Sequence, residues 1–144
     1  MVIDEIDREI LREVVQRGRM TQRELGKAVG LSPNAAGARL QRLVDKGAIT
    51  GFAAQLDHAV LGRPIAASID VWLNDDRDRD ALLELVKTDD RVVECFHLTG
   101  PLDFRVRARV ATTDDLNALL TAFRVSGGVR QTDSRLILEQ VPTS

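Results

Sequence analysis

The sequence predicts an α+β chain: three N-terminal helices, then a βαββαβ unit. Three observations carry that prediction. Apolar residues in positions 3–46 recur at helical spacing and are broken twice by glycine, whereas positions 65–141 alternate strand and helix patterns. Charge divides along the same line: residues 1–50 hold nine basic and seven acidic side chains, and residues 51–144 hold eleven and fifteen. The narrower stretch 19–50 carries six basic residues against Glu24 and Asp45, a local net of about +4.

The first helix is expected over Asp4 to Arg17, with Ile6, Ile10, Leu11, Val14 and Val15 supplying the apolar positions and Gly18 ending the run. Asp4, Glu5 and Asp7 suit the positive end of its dipole. The second opens on Thr21-Gln22-Arg23-Glu24, a capping box that satisfies two orphan amides, and Gly30 stops it. Ser32 then offers an N-cap hydroxyl, and Pro33 fits the first helical position, where no amide proton is needed. The third helix runs to about Lys46, with Ala36, Leu40, Leu43 and Val44 inward.

Two helices joined through Val29-Gly30-Leu31-Ser32 form the helix-turn-helix pattern, whose second helix enters the DNA major groove N-terminus first. The candidate DNA-binding residues are therefore Ser32, Pro33, Asn34, Arg39, Gln41, Arg42 and Lys46, with Ala35 and Ala38 on the same exposed face. Asn34 suits adenine, Arg39 suits guanine or phosphate, and alanine methyls suit thymine methyls. Arg42 and Lys46, further along, are placed for phosphates. Gly37 costs about 1 kcal/mol relative to alanine in a helix; it either admits the DNA backbone closely or is a tolerated weak position.

A short strand is expected over Gly51–Leu56, then a linker through Gly62 and Pro64. After it come a strand 65–73, a helix 79–88, strands 92–99 and 103–111, a helix 114–124 with Thr113 as N-cap, and a strand 130–141. That order is the ferredoxin-like arrangement, a four-stranded antiparallel sheet with helices on one face. Its other face carries Asp70 and Trp72 from the first strand and Arg105, Arg107 and Arg109 from the third, a surface suited either to a homodimer or to a solvated face with Asp70 paired to an arginine. The run Asp75–Asp80 interleaves acids with arginines and reads as a solvated loop rather than a cation site.

The domains expected are thus 1–50 for DNA binding, 51–64 as linker and 65–144 for assembly and sensing. Two histidines, one cysteine, no glycine-rich phosphate loop and no nucleophile motif predict no enzyme, no catalytic residues, no cofactor and no metal. No apolar run reaches the roughly 18 residues a membrane span requires, and the N-terminus lacks a secretory pattern. A cytoplasmic protein bound to double-stranded DNA is the expectation.

Ile3 to Leu11, Gly18-Arg19, Glu24-Leu25, Val29 to Pro33, Arg39, Arg42-Leu43, Gly47 and Ile49 to Phe52 closely resemble the Lrp/AsnC family of feast/famine transcriptional regulators. Glu94 to Phe104, Gly128-Val129, Thr132 and Ser134 resemble that family's effector domain. The resemblance implies a bacterial or archaeal, nucleoid-associated regulator, dimeric through its sheets and often assembled to tetramers or octamers. It also implies an amino acid or related small molecule as effector, near the loop of Thr99, Gly100, Pro101, Leu102 and Asp103. Asp103 would receive the ammonium and backbone near Gly100 the carboxylate, although these residues could instead merely shape a hairpin. Some proteins resembling this family are sirohaem decarboxylases, for which His97 with Arg105, Arg107 and Arg109 would be the candidate machinery.

Overall fold

Asp4 starts the chain's first helix by accepting from the Asp7 amide at 2.8 Å, while the Asp7 carboxylate accepts from the Asp4 amide at 3.2 Å. In the computed structural model, which describes residues 1–143, this reciprocal cap opens α1 (Glu5–Gln16). Thr21 and Glu24 close the expected capping box at the head of α2 (Gln22–Val29), which Gly30 ends in the left-handed conformation, φ 73°. Ser32 accepts from the Ala35 amide, and Pro33 opens α3 (Pro33–Asp45). The helices enclose Ile10, Leu25, Val29, Ala36 and Leu43, flanked by Ile3, Ile6, Leu11, Leu40 and Ile49. Val15, expected among the apolar positions of α1, is 82% exposed on its flank.

The strand expected over Gly51–Leu56 does not form. A strand needs a hydrogen-bonding neighbour, and in the single chain this segment has none, so Phe52 and Leu56 stay 58% and 60% exposed. The chain divides into two compact units, Met1–Gln55 and from Leu56 onward.

The second unit has the expected order of elements: β1 (Ile65–Leu73), α4 (Arg79–Thr88), β2 (Val92–His97), β3 (Phe104–Val110), α5 (Thr113–Ser126) and β4 (Val129–Ile137). Within the run 75–80, Asp76–Asp78 makes one 3-10 turn before α4. The sheet is antiparallel in the order β2-β3-β1-β4. Several limits differ from the sequence reading. Thr112, one residue earlier than expected, caps α5 by accepting from the Asp115 amide. β2 stops at His97 and β3 begins at Phe104, and just beyond them the Leu98 amide donates to the Asp103 carbonyl at 3.1 Å. β4 ends at Ile137 instead of 141, since Ala66 opposite it is the second residue of β1 and little strand remains beyond to pair with.

Strand alternation places Ala67, Ile69, Val71, Phe104, Val106, Ala108 and Val110 against Leu82, Leu116, Leu119 and Phe123 of the helices. Arg91 ties this packing at one corner, pairing with Asp89 at 2.8 Å and with Asp115 of α5 at 3.0 Å. The pairing with Arg91 lowers the Asp89 pKa, and the Ala111 amide followed by Arg91 lowers that of Asp115.

Candidate nucleic-acid interface

The turn between α2 and α3 depends on a glycine inside α2. The Leu31 amide donates to the Gly26 carbonyl at 2.8 Å, and a Cβ on Gly26 would lie 2.5 Å from the Leu31 carbonyl oxygen. Backbone thus passes where any other residue would carry its side chain. This contact brings α3 back across α2 and presents the N-terminal end of α3 outward. Ser32, Pro33, Asn34, Ala35 and Ala38 are exposed there, and Gln41 and Lys46 are exposed further along. Gln41 is held by its amide, which donates to Asp45 at 2.8 Å.

Arg39 and Arg42 are placed differently from the sequence reading, which has Arg39 reaching a base or phosphate freely. Both turn toward α1 and converge on Asp7. Arg39 Nη1 lies 3.0 Å from Asp7 Oδ1 and 2.7 Å from Asp4 Oδ2, and Arg42 Nη2 lies 2.6 Å from Asp7 Oδ2. The Asp7 side chain is fully buried, and each oxygen accepts at least one charge-assisted bond. Burial alone would raise its pKa, but the Asp4 amide, then Arg42 and Arg39, outweigh that and hold the carboxyl below its usual range. Arg39, bonded to Asp4 and Asp7, is correspondingly raised.

The sequence reading assigns Asp7 only to the helix dipole. Its position does carry a further signal: Asp7 shares the apolar stripe of α1 with Ile3, Ile10, Leu11 and Val14. A carboxylate on a core-facing stripe needs a cation. At Gly37, a Cβ would lie 2.5 Å from Gln22 Cδ of α2. The obstacle is a flexible side chain, so Gly37→Ala is expected to change stability by less than about 1 kcal/mol, the helix-propensity gain offsetting the displacement of Gln22. Thermal unfolding of the variant checks this.

In the second unit, the expected effector residues form the β2–β3 loop. Thr99, Gly100 and Pro101 are exposed, and Leu102 and Asp103 are half-buried. Asp103 is bound into the hairpin: its Oδ2 accepts from the Leu73 amide at 2.8 Å, its amide donates to Val71, and its carbonyl accepts from Leu98. One carboxylate oxygen therefore fastens the loop to the end of β1.

His97 stacks on Phe104 with ring centroids 4.7 Å apart, and its Nδ1 lies 3.1 Å from Arg79 Nη1. Being paired with Phe104, it lies on the helix-covered side, whereas Arg105, Arg107 and Arg109 alternate onto the open face. The sheet separates the groups that tetrapyrrole decarboxylation would bring together. On the open face, Asp70 is 6% exposed. It accepts from Arg105 at 2.7 Å and from Arg135 at 3.3 Å, and Glu94 accepts from Arg107 at 2.9 Å. The Arg105 bond is the main cause lowering the Asp70 pKa. Phe96, paired with Arg105 and 46% exposed, and half-buried Trp72 supply apolar area between the charges. No helix among the described residues is long and apolar enough to cross a membrane.

Residues 3–50 match the family described as winged helix-turn-helix DNA-binding, and residues 66–144 match the Lrp/AsnC ligand binding domain. The leucine-responsive regulatory protein of Escherichia coli K12 is 32% identical over 148 residues, covering 99% of this chain and 88% of its own. The Mycobacterium tuberculosis HTH-type transcriptional regulator LrpA is 30% identical over 136 residues, covering 94% and 90%. Among solved structures, a transcriptional regulator from Neisseria meningitidis in complex with L-Met superimposes with a TM-score of 0.92 at 27% identity, covering 99% of this chain and 94% of that one. A feast or famine regulatory protein from M. tuberculosis complexed with L-methionine gives 0.86 at 30% identity, covering 99% and 96%. With a helix-turn-helix whose second helix is presented outward and a βαββαβ unit matching the ligand-binding domain, the chain belongs to the Lrp/AsnC family and is a DNA-binding transcriptional regulator.

Proposed function

We propose that residues 1–50 read an operator through α3, that 51–64 link, and that 65–144 assemble the protein and sense an amino acid, in the cytoplasm. The observation that carries this reading is the exposed N-terminal end of α3, fixed by the Gly26 turn and bearing Asn34 with small alanines. Asn34 and Gln41 suit adenine edges, Ala35 and Ala38 suit thymine methyls, and Lys46 suits a phosphate. On an operator selected from random DNA, Asn34→Ala is expected to lower affinity about 10- to 100-fold while leaving random duplex unaffected. Lys46→Ala should weaken both and make the salt dependence shallower by about 0.9. Equal losses on both duplexes for Asn34→Ala would remove it from base reading.

The homodimer forms through the open sheet face, where Asp70, Glu94 and Asp133 already neutralise Arg105, Arg107 and Arg135. Paired charges lower the desolvation cost of covering that face. Phe96→Glu is expected to yield monomers in sedimentation, and an unchanged dimer would relocate the interface. Higher assemblies such as tetramers or octamers build on that dimer.

The L-methionine complexes of two structural neighbours support an amino-acid effector, and its placement at Thr99–Asp103 rests on the resemblance of that loop to the family's effector domain. Because Asp103 also fastens the hairpin, Asp103→Asn is the informative variant: it keeps an acceptor for the Leu73 amide and loses only the charge. Stabilisation of wild type by L-methionine should disappear in Asp103→Asn, and a shift that survives would take Asp103 out of the site. The separation of His97 from the arginines by the sheet favours a regulator without enzymatic activity over the decarboxylase reading.

A further inference from the structure

A buried carboxylate that binds two cations from the presented helix does more than pack α1 against α3. Asp7 takes one nitrogen from each arginine, Nη1 of Arg39 and Nη2 of Arg42. A guanidinium has five N–H donors in a fixed plane, so the remaining donors of both stay outside the Asp7 contact. The two side chains are 31% and 44% exposed, and they sit three residues apart on one face of α3. Asp4, which shares Arg39 Nη1, is itself half exposed and can yield to a competing anion, whereas Asp7 is sealed behind the helices.

We propose that Asp7 is a positioning residue for DNA binding, anchoring Arg39 and Arg42 by one nitrogen each so that their outer edges form a paired clamp for the DNA phosphate backbone. The proposal rests on α3 being the DNA-facing helix. It replaces guanine reading by Arg39 with phosphate holding. An arginine can serve a buried carboxylate and a phosphate together, because its donors lie on different edges of one plane. Lysine concentrates its charge and donors on a single nitrogen instead of on separate edges of a plane, so drawing it to Asp7 takes it away from the phosphate.

Two opposite signs distinguish positioning from simple charge. Asp7→Asn removes a negative charge near DNA, which by Coulomb attraction alone would tighten binding. If Asp7 positions the arginines, the asparagine amide group turns a donor toward one of them and binding weakens instead.

The test is an anisotropy titration of the full chain on a short duplex between about 50 and 200 mM salt, using wild type, Arg39→Lys, Arg42→Lys, the double lysine variant and Asp7→Asn, with melting temperatures alongside. The expected result is a log–log salt slope shallower by about 0.9 for each single lysine variant and by about 1.8 for the double, with melting temperatures close to wild type. Asp7→Asn should lose affinity about 10-fold or more. Lysine variants that keep the wild-type slope, or an Asp7→Asn protein that binds more tightly, would overturn the proposal while leaving the regulator reading intact. Should Asp7→Asn not fold, the lysine slopes decide alone. A wild-type protein that binds no duplex at all overturns both readings.

Discussion

Gly26→Ala is expected to destabilise the N-terminal unit by about 3 kcal/mol, the upper part of the usual range for forcing extra volume into a packed site. In a unit this small, that shift lowers the melting temperature by more than about 10 °C. The sign is diagnostic, since alanine in a helix is ordinarily preferred to glycine by about 1 kcal/mol. Here the added carbon meets the Leu31 carbonyl oxygen at 2.5 Å and the Ser32 backbone at 3.1 Å. Neither can move aside without breaking the Leu31–Gly26 hydrogen bond that makes the turn. DNA binding should fall with the fold, because the N-terminal end of α3 depends on that turn. Thermal denaturation beside Gly37→Ala, where the obstacle is the end of Gln22, isolates backbone collision from helix propensity.

Asp7→Ala is expected to cost about 3 kcal/mol, the low end for removing one partner of a buried ion pair, because both arginines keep access to water. The same group makes the unit acid-sensitive. Its folded-state pKa lies below the ordinary 3.8, so its contribution is fully present above about 3.8 and is lost as pH falls through the lower folded value. Asp70 in the second unit is depressed as well, chiefly by Arg105, and contributes with the same sign. Melting temperatures of wild type and Asp7→Asn should therefore converge as pH falls below about 3.8. Curves that stay parallel through that window would show that Asp7 is not the titrating group.

Local signals made most of the fold legible. Thr21 with Glu24, and Ser32 with Pro33, place the starts of α2 and α3 because caps are satisfied within a few residues of chain. Alternation in Phe104–Val110 separates the arginines from the core because strand side chains point to opposite faces. The errors arise where the deciding partner is distant in sequence or absent. Gly51–Leu56 reads as a strand from its residues, yet pairing requires a neighbour that the single chain does not provide. Arg39 reads as reaching guanine or phosphate, and what the local sequence does not show is its pairing with Asp4 and Asp7, 35 and 32 residues away. For Asp103 the sequence offers hairpin shaping as an alternative role, but not its amide partner, which lies on β1, 30 residues away. Gly26 lies within two turns of helix, and only the returning backbone at Leu31 shows why glycine stands there.

α3, presented from a dimer, is expected to read DNA sequence. Selection of duplexes from a random library at one fixed salt concentration, followed by affinity measurement on the enriched and unselected pools, tests it most directly. The expected result is an enriched two-fold symmetric site with half-sites one helical turn or a multiple apart, bound at least about 1,000-fold more tightly than unselected DNA. Equal affinity for both pools, with no recurring motif, would contradict it.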